Sequence, residues 1–225
     1  MKFIFSSKKV VFVFCILLFL ILLSAGFYFW IKNEINNERN DISTKSSDIS
    51  EFEVKDINGE KIIENKKEGL LVKSPNGWII KKFKYNDKEN EVSLFSPESE
   101  FDEQGNFITK KSYFEKGACV IGMAVKKCEK YSSNVLTEAD MIWGYIRGII
   151  EESNVNNSSN KNWTVINISG KDSLKRVTKQ DNNITSVRVE IPIGQTIYGF
   201  STGYIINQNC LKAFDDFIKT VLLNK

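Results

Sequence analysis

The chain has 225 residues, 42% apolar and 26% charged, with a net charge of +3; that balance excludes wholesale disorder. Only one stretch is long and apolar enough to span a bilayer, which excludes a polytopic membrane protein. Histidine is absent, so the commonest general base, the commonest transition-metal ligand and the usual pH switch are all missing.

Residues 1–9 carry Lys2, Lys8 and Lys9 and no acid. Val10 to Ile31 is a run of 22 residues without charge. At about 1.5 Å rise per residue, a helix of that length crosses a hydrocarbon core of about 30 Å. Two fates compete for the run: a signal anchor that stays, or a signal peptide that is cut. Cleavage near Leu23-Ser24-Ala25 fits small-x-small poorly because Leu23 is large, and the run continues through Phe27, Tyr28, Phe29 and Trp30. Signal peptides have shorter apolar cores, so the expectation is an anchor. Cys15 has no small residue before it, which argues against a lipoprotein. Three lysines precede the run, whereas Lys32 and Arg39 after it are interleaved with Glu34, Glu38 and Asp41. Positive charge stays inside. The N-terminus is therefore expected in the cytoplasm and the rest outside, in a single-pass cell-membrane protein.

Residues 32–68 hold 7 basic and 10 acidic residues. Residues 32–50 are too polar to fold alone and are expected to form a tether. Phe52, Val54 and Ile57 precede Asn58-Gly59, and Ile62 and Ile63 follow; Asn-Gly between apolar alternation predicts a hairpin over 52–63. Residues 69–225 suffice for one globular domain.

Within it, Gly69–Lys73 reads as a strand and Ser74-Pro75-Asn76-Gly77 as a turn. Trp78–Tyr85, Glu91–Phe95 and Cys119–Lys127 read as strands, with a long loop over 96–117. Thr137–Glu152 has helical spacing, with Met141, Ile142, Tyr145, Ile146, Ile149 and Ile150 on one face. Trp163–Ile168, Ser173–Lys179, Ile184–Ile193 and Thr196–Ile206 read as strands. A last helix over 209–222 aligns Leu211, Phe214, Ile218, Val221 and Leu222. Hairpin-like strands with two helices inserted predict an α+β domain around an antiparallel sheet.

Val72-Lys73-Ser74-Pro75-Asn76-Gly77-Trp78 joins a short strand, a proline turn and a Trp that opens the next strand. Ile191-Pro192-Ile193-Gly194 leads through Tyr198-Gly199-Phe200 into the helix bearing Phe214 and Phe217. In these segments the chain resembles the PsbP-like family. The resemblance implies an α-β-α sandwich: a central antiparallel sheet with helices on both faces. Family members in plants and cyanobacteria assist photosystem assembly and water oxidation. Metal contacts in the plant protein involve histidine in part, and this chain has none.

The residues point to little chemistry. Cys119, Cys128 and Cys210 fall in the exported part, where disulfides persist. Cys119 and Cys128 are nine residues apart on one predicted strand, roughly 30 Å if extended, too far to bridge. Cys128–Cys210 is the candidate pair; three buried thiols are the alternative. Asp102-Glu103, Glu151-Glu152 and Asp215-Asp216 read as solvated acids, and 102–106 lacks the alternating ligands of a calcium loop. Gly170-Lys171-Asp172-Ser173 lacks the earlier glycine of a phosphate loop. Lys81-Lys82-Phe83-Lys84-Tyr85 is explained by strand alternation, with Phe83 and Tyr85 inward and Lys82 and Lys84 outward, rather than by nucleic-acid binding. No catalytic residue, cofactor or metal site is expected. The expected role is non-enzymatic, binding a protein or assisting assembly at the cell surface. A Ser/Lys hydrolase and a small-ligand binder are the alternatives.

Overall fold

The structure is a computed structural model that describes residues 42–84, 90–108, 117–130, 136–156, 162–180, 183–203 and 208–224. The apolar run 10–31 lies outside the described residues, and no helix among those described is long and apolar enough to cross a membrane. Residues 44–129 and 136–225 form one compact unit.

Short turns set most of the architecture. Asn58 and Gly59 adopt positive φ of 55° and 82°, the left-handed pair that a two-residue hairpin requires. They join β2 (Phe52–Ile57) to β3 (Glu60–Asn65). β4 (Leu70–Lys73) pairs with β3, and β12 (Leu222–Leu223) pairs with β4. The result is a four-stranded antiparallel sheet.

The larger sheet has eight strands. β5 (Ile79–Lys84), β6 (Asn90–Phe95) and β7 (Val120–Lys130) are followed by β11 (Thr196–Gly203), β10 (Asn183–Ile193), β9 (Lys171–Gln180) and β8 (Trp163–Ile168), while β1 (Ile42–Ser46) also pairs with β7. From β8 to β11 each strand is paired with the next by an antiparallel ladder. β7 carries no such local turn on either side. Its Met123 pairs with Val92 on one edge and Phe200 on the other.

Strand alternation divides the core. Val187, Val189, Ile191, Tyr198, Phe200, Ile121, Met123, Val92 and Leu94 join one cluster. It is completed by Phe214, Phe217 and Ile218 of α2 (Gln208–Ile218) and by Phe52, Ile63, Leu70 and Val72 of the smaller sheet. Leu174, Ile197 and Cys128 point the other way, against Ala139, Ile142 and Ile146 of α1 (Glu138–Asn156).

The expected α-β-α sandwich is corrected by this arrangement. Strand makes up 54% of the described residues and helix 19%. They form two antiparallel sheets with only two helices, so the fold is mainly β. A sheet shares with α2 the covering role that the α+β expectation gave to helices alone. Residues 52–65, where a hairpin over 52–63 is expected within the linker 32–68, supply Phe52 and Ile63 to the main core at 1% and 0% exposure.

Two amphipathic stripes also shift. On α1, Ile142 and Ile146 are buried while Met141, Tyr145 and Ile150 are exposed. α2 stops at Ile218, so Leu222 leaves the helix for β12 and is exposed. Phe83 is half-buried against Phe95, with ring centroids 6.1 Å apart, whereas Tyr85 lies outside the described residues. Lys82 and Lys84 are exposed, as strand alternation predicts, and the Lys82 ammonium donates to the Phe52 carbonyl.

Candidate functional site

A polar cleft of about 570 Å³ lies among the described residues. It is assembled from five separate pieces of chain. The end of β1 and the residues after it bring Lys45, Ser47 and Asp48, and a 3₁₀ turn over Ile49–Glu51 brings Glu51. The β3–β4 turn supplies Lys67 and Glu68, and Lys84, Asn90 and Lys127 come from the ends of β5 and β6 and from β7.

Glu68 is fully buried, and the cleft wall is built around it. Its carboxylate meets Lys127 Nζ at 2.7 Å. Its backbone N–H donates to Asn65 Oδ1 at 3.1 Å, and its carbonyl accepts the Tyr198 hydroxyl. Burial, aided by the Glu68 charge, pushes the Tyr198 phenol up to about 12, so it stays a donor. A buried carboxylate held this way is tolerable because both the charge and the backbone are satisfied.

The remaining wall is fixed by local hydrogen bonds. Asp48 caps the 3₁₀ turn, accepting from Ser50 N at 2.8 Å and Ser50 Oγ at 2.7 Å. Those bonds hold its carboxyl below the ordinary aspartate range. Ser47 N donates to Val125 O at 2.8 Å, and Asn90 Nδ2 donates to the Ser47 carbonyl at 3.1 Å. Lys67 pairs with Glu51, which raises the lysine above its ordinary value. Three buried side-chain oxygens of the wall have no hydrogen-bond donor: Ser47 Oγ, Glu51 Oε2 and Asn90 Oδ1.

The cysteines pair differently from the candidate bridge Cys128–Cys210. Cys210, at the start of α2, is bonded to Cys119, with Cα atoms 5.3 Å apart. Cys128 is a buried free thiol. The physical reason is alternation of faces from Cys119, the residue before β7, along the strand to Cys128. Cys119 joins the cluster on the α2 side and Cys128 the cluster under α1, so Cys128 has the sheet between it and Cys210. Burial raises the Cys128 thiol and keeps it protonated and unreactive.

The other sequence candidates are dispersed. Asp102 is exposed and spends its carboxylate on Asn106, accepting from N at 2.7 Å and Nδ2 at 3.0 Å. Lys81 Nζ reaches the neighbouring Gly105 carbonyl and lies 3.7 Å from the Phe101 ring centre; an ammonium group thus occupies the side where a cation loop would need room. Asp215 pairs with Lys175 at 2.8 Å, and Asp216 pairs with Lys212 and Lys219. Lys171 and Asp172 open β9 at a hairpin and hold no phosphate cradle. No cluster of three or more metal-ligating side chains occurs among the described residues.

A second charged network lies on the α1 side of the sheet. Glu190, fully buried, accepts from Arg176 Nε at 3.1 Å and meets Arg188 Nη2 at 2.8 Å, while Arg176 sits 4.9 Å above the Trp163 ring. Both guanidiniums are spent on one carboxylate, and the network reads as a structural staple. No family model, curated protein or solved structure matches the chain.

Sequence reasoning missed the cleft because residues 44–51 look like tether. Ser46-Ser47-Asp48 and Lys66-Lys67-Glu68-Gly69 were its only local signals, and both read as ordinary polar turns.

Proposed function

We propose that the chain is a membrane-tethered, extracytoplasmic domain that works by binding, in an assembly or protein-partner role at the cell surface. The observation that carries this reading is the Cys119–Cys210 bridge. It joins two cysteines each 2% exposed, and such structural bridges persist outside the reducing cytosol. The uncharged run Val10–Ile31, with lysines before it, agrees with that address.

Binding is favoured over catalysis by the state of the lysines. A Ser/Lys hydrolase needs a lysine of lowered basicity. In the cleft, Lys67 is held protonated by Glu51, and Lys127 faces the buried carboxylate of Glu68. The outer flank of α1 supports a partner role, since Leu136, Met141 and Tyr145 remain 47–63% exposed.

The test is protease treatment of intact cells expressing the full chain with a C-terminal tag, combined with fractionation. The tag should be digested and the protein should sediment with membranes. A protected tag, or a soluble form beginning near Gly26, would remove the tethered extracytoplasmic reading.

A further inference from the structure

We infer that β8 is a self-association edge, which pairs antiparallel with β8 of a second copy of this chain about a two-fold axis at Val165. This supplies a partner for the binding role proposed above and rests on that role.

The ladder leaves the edge open. Among the described residues β8 pairs only with β9, as the outermost strand of the larger sheet. Val177 N donates to Asn162 O at 2.8 Å, and the same register runs on from Trp163 with Arg176 to Ile168 with Lys171. Successive residues of an antiparallel strand turn their N–H and C=O to opposite sides. Thr164, Ile166 and Ile168 therefore spend theirs on β9, whereas Trp163, Val165 and Asn167 turn theirs outward.

Chemistry sets this edge apart from the others. Outer strands are normally blunted by charge, proline or shortness. β5 carries Lys81, Lys82 and Lys84, β2 carries Glu53, Lys55 and Asp56, β1 carries Lys45, and β12 has only 2 residues. β8 is Trp-Thr-Val-Ile-Asn-Ile, 6 residues without charge or proline. It has apolar side chains on both faces, Trp163 and Val165 in the α1 cluster and Ile166 and Ile168 in the α2 cluster. Such a strand is a template for another strand.

The occupant follows from self-complementarity. With Val165 on the axis, Val165 meets itself, Trp163 meets Asn167 of the second copy, and Thr164 meets Ile166. Large side chains then face small ones, no charge faces its own image, and the three outward residues exchange about six backbone hydrogen bonds. A two-fold axis normal to the sheet brings both copies of α1 to the same face. Tyr145, which stacks on Trp163 at 4.7 Å and is still exposed, lies on the flank that the second α1 would cover. Each copy offers this edge once, and lysines guard the opposite edge at β5, so the association closes as a dimer instead of growing into a fibre.

Sedimentation equilibrium of the full chain in density-matched detergent provides the first test. A monomer–dimer equilibrium is expected. Thr164→Lys, at an exposed position, should leave the melting temperature unchanged and shift the chain to monomer, because it sets a charge on the edge. Cross-linking tests the register. In a Cys15→Ser background, Val165→Cys should form an intermolecular disulfide under mild oxidation, since self-paired Cα atoms would lie about 5.5 Å apart. Thr164→Cys is the more exposed position but should cross-link far less, because its two copies would lie on a diagonal about 7–8 Å apart. Monomer at every concentration, a dimer that Thr164→Lys leaves intact, or cross-linking at 164 equal to that at 165 would overturn the inference. So would a monomeric chain whose Val165→Cys variant cross-links only to a different protein. Such failures are separable from failure of the tethered reading, which protease accessibility reports alone.

Discussion

Asp216 shows how a single exposed residue can be tuned without burial. Hydrogen bonds from Lys212 and Lys219 lower its carboxyl from the ordinary 3.8 to about 2. A depressed carboxylate contributes stability above its unfolded value and loses it as pH falls through the folded one. The pairing at the end of α2 should therefore be intact near neutrality and weaken between about pH 4 and about pH 2. A carboxyl-carbon NMR titration should place the Asp216 midpoint near 2, and replacing both lysines with alanine should return it towards 3.8. An unshifted midpoint in the native chain would show that the lysines do not engage it. Cys119→Ser tests the other residue-scale feature. Opening a bridge between residues 91 apart in sequence should cost about 2–4 kcal/mol in chemical denaturation. Cys128→Ala, which removes only a buried thiol, should cost about 1 kcal/mol. Equal losses for the two would deny the pairing. That Cys210 had a partner was open to inference from the expected export of this part of the chain. Which partner was not, because parity along β7 appears only once the strand's faces are known.

At the scale of elements, the sequence was informative wherever a turn is local. Asn58-Gly59 marks the β2–β3 hairpin, and Gly194-Gln195 joins β10 to β11, because two-residue turns leave a chemical signature in the residues that make them. What the sequence withheld was the use to which the first hairpin is put. Its apolar residues are few, and only the burial of Phe52 and Ile63 beside Val72 shows that it completes the core. Helix periodicity had a similar limit: it fixed a stripe on α1 but not which edge of that stripe the sheet would cover, so Ile146 is buried while Tyr145 is exposed. It follows that a fragment starting at residue 69 should not be a stable domain. Losing Phe52 alone should cost about 3–5 kcal/mol, as for other large core truncations, and the fragment loses Ile63 as well. Circular dichroism melts of residues 44–225 and 69–225, both oxidised, should show a cooperative transition only for the longer chain. Equal melting of the two would mean that the smaller sheet is dispensable.

For the whole molecule, the strand order was the least readable property. β7 is joined to β6 and β11 by pairings such as Met123 with Val92 and Phe200. Contacts so distant in sequence leave no composition cue, because the loops between them carry no geometric requirement. The cleft suffered for the same reason, being made where β1, the β3–β4 turn, β5, β6 and β7 happen to end together. The fold class was misjudged because two clear amphipathic helices outweighed a dozen short strands, each of weak signal. The bridge between Cys119 and Cys210 has a mechanical meaning as well. In the proposed role, the domain would be tied to a membrane at one end and to a partner elsewhere, and so liable to be pulled. With the bridge closed, the chain between those cysteines, 91 residues apart, cannot be drawn out. At about 3.3–3.6 Å per residue, that withholds about 300 Å of reach. Stretched by optical tweezers from its two ends, the oxidised protein should extend about 300 Å less than the reduced one. In that proposed role, oxidation would set the greatest distance at which the domain could still hold a partner to the cell.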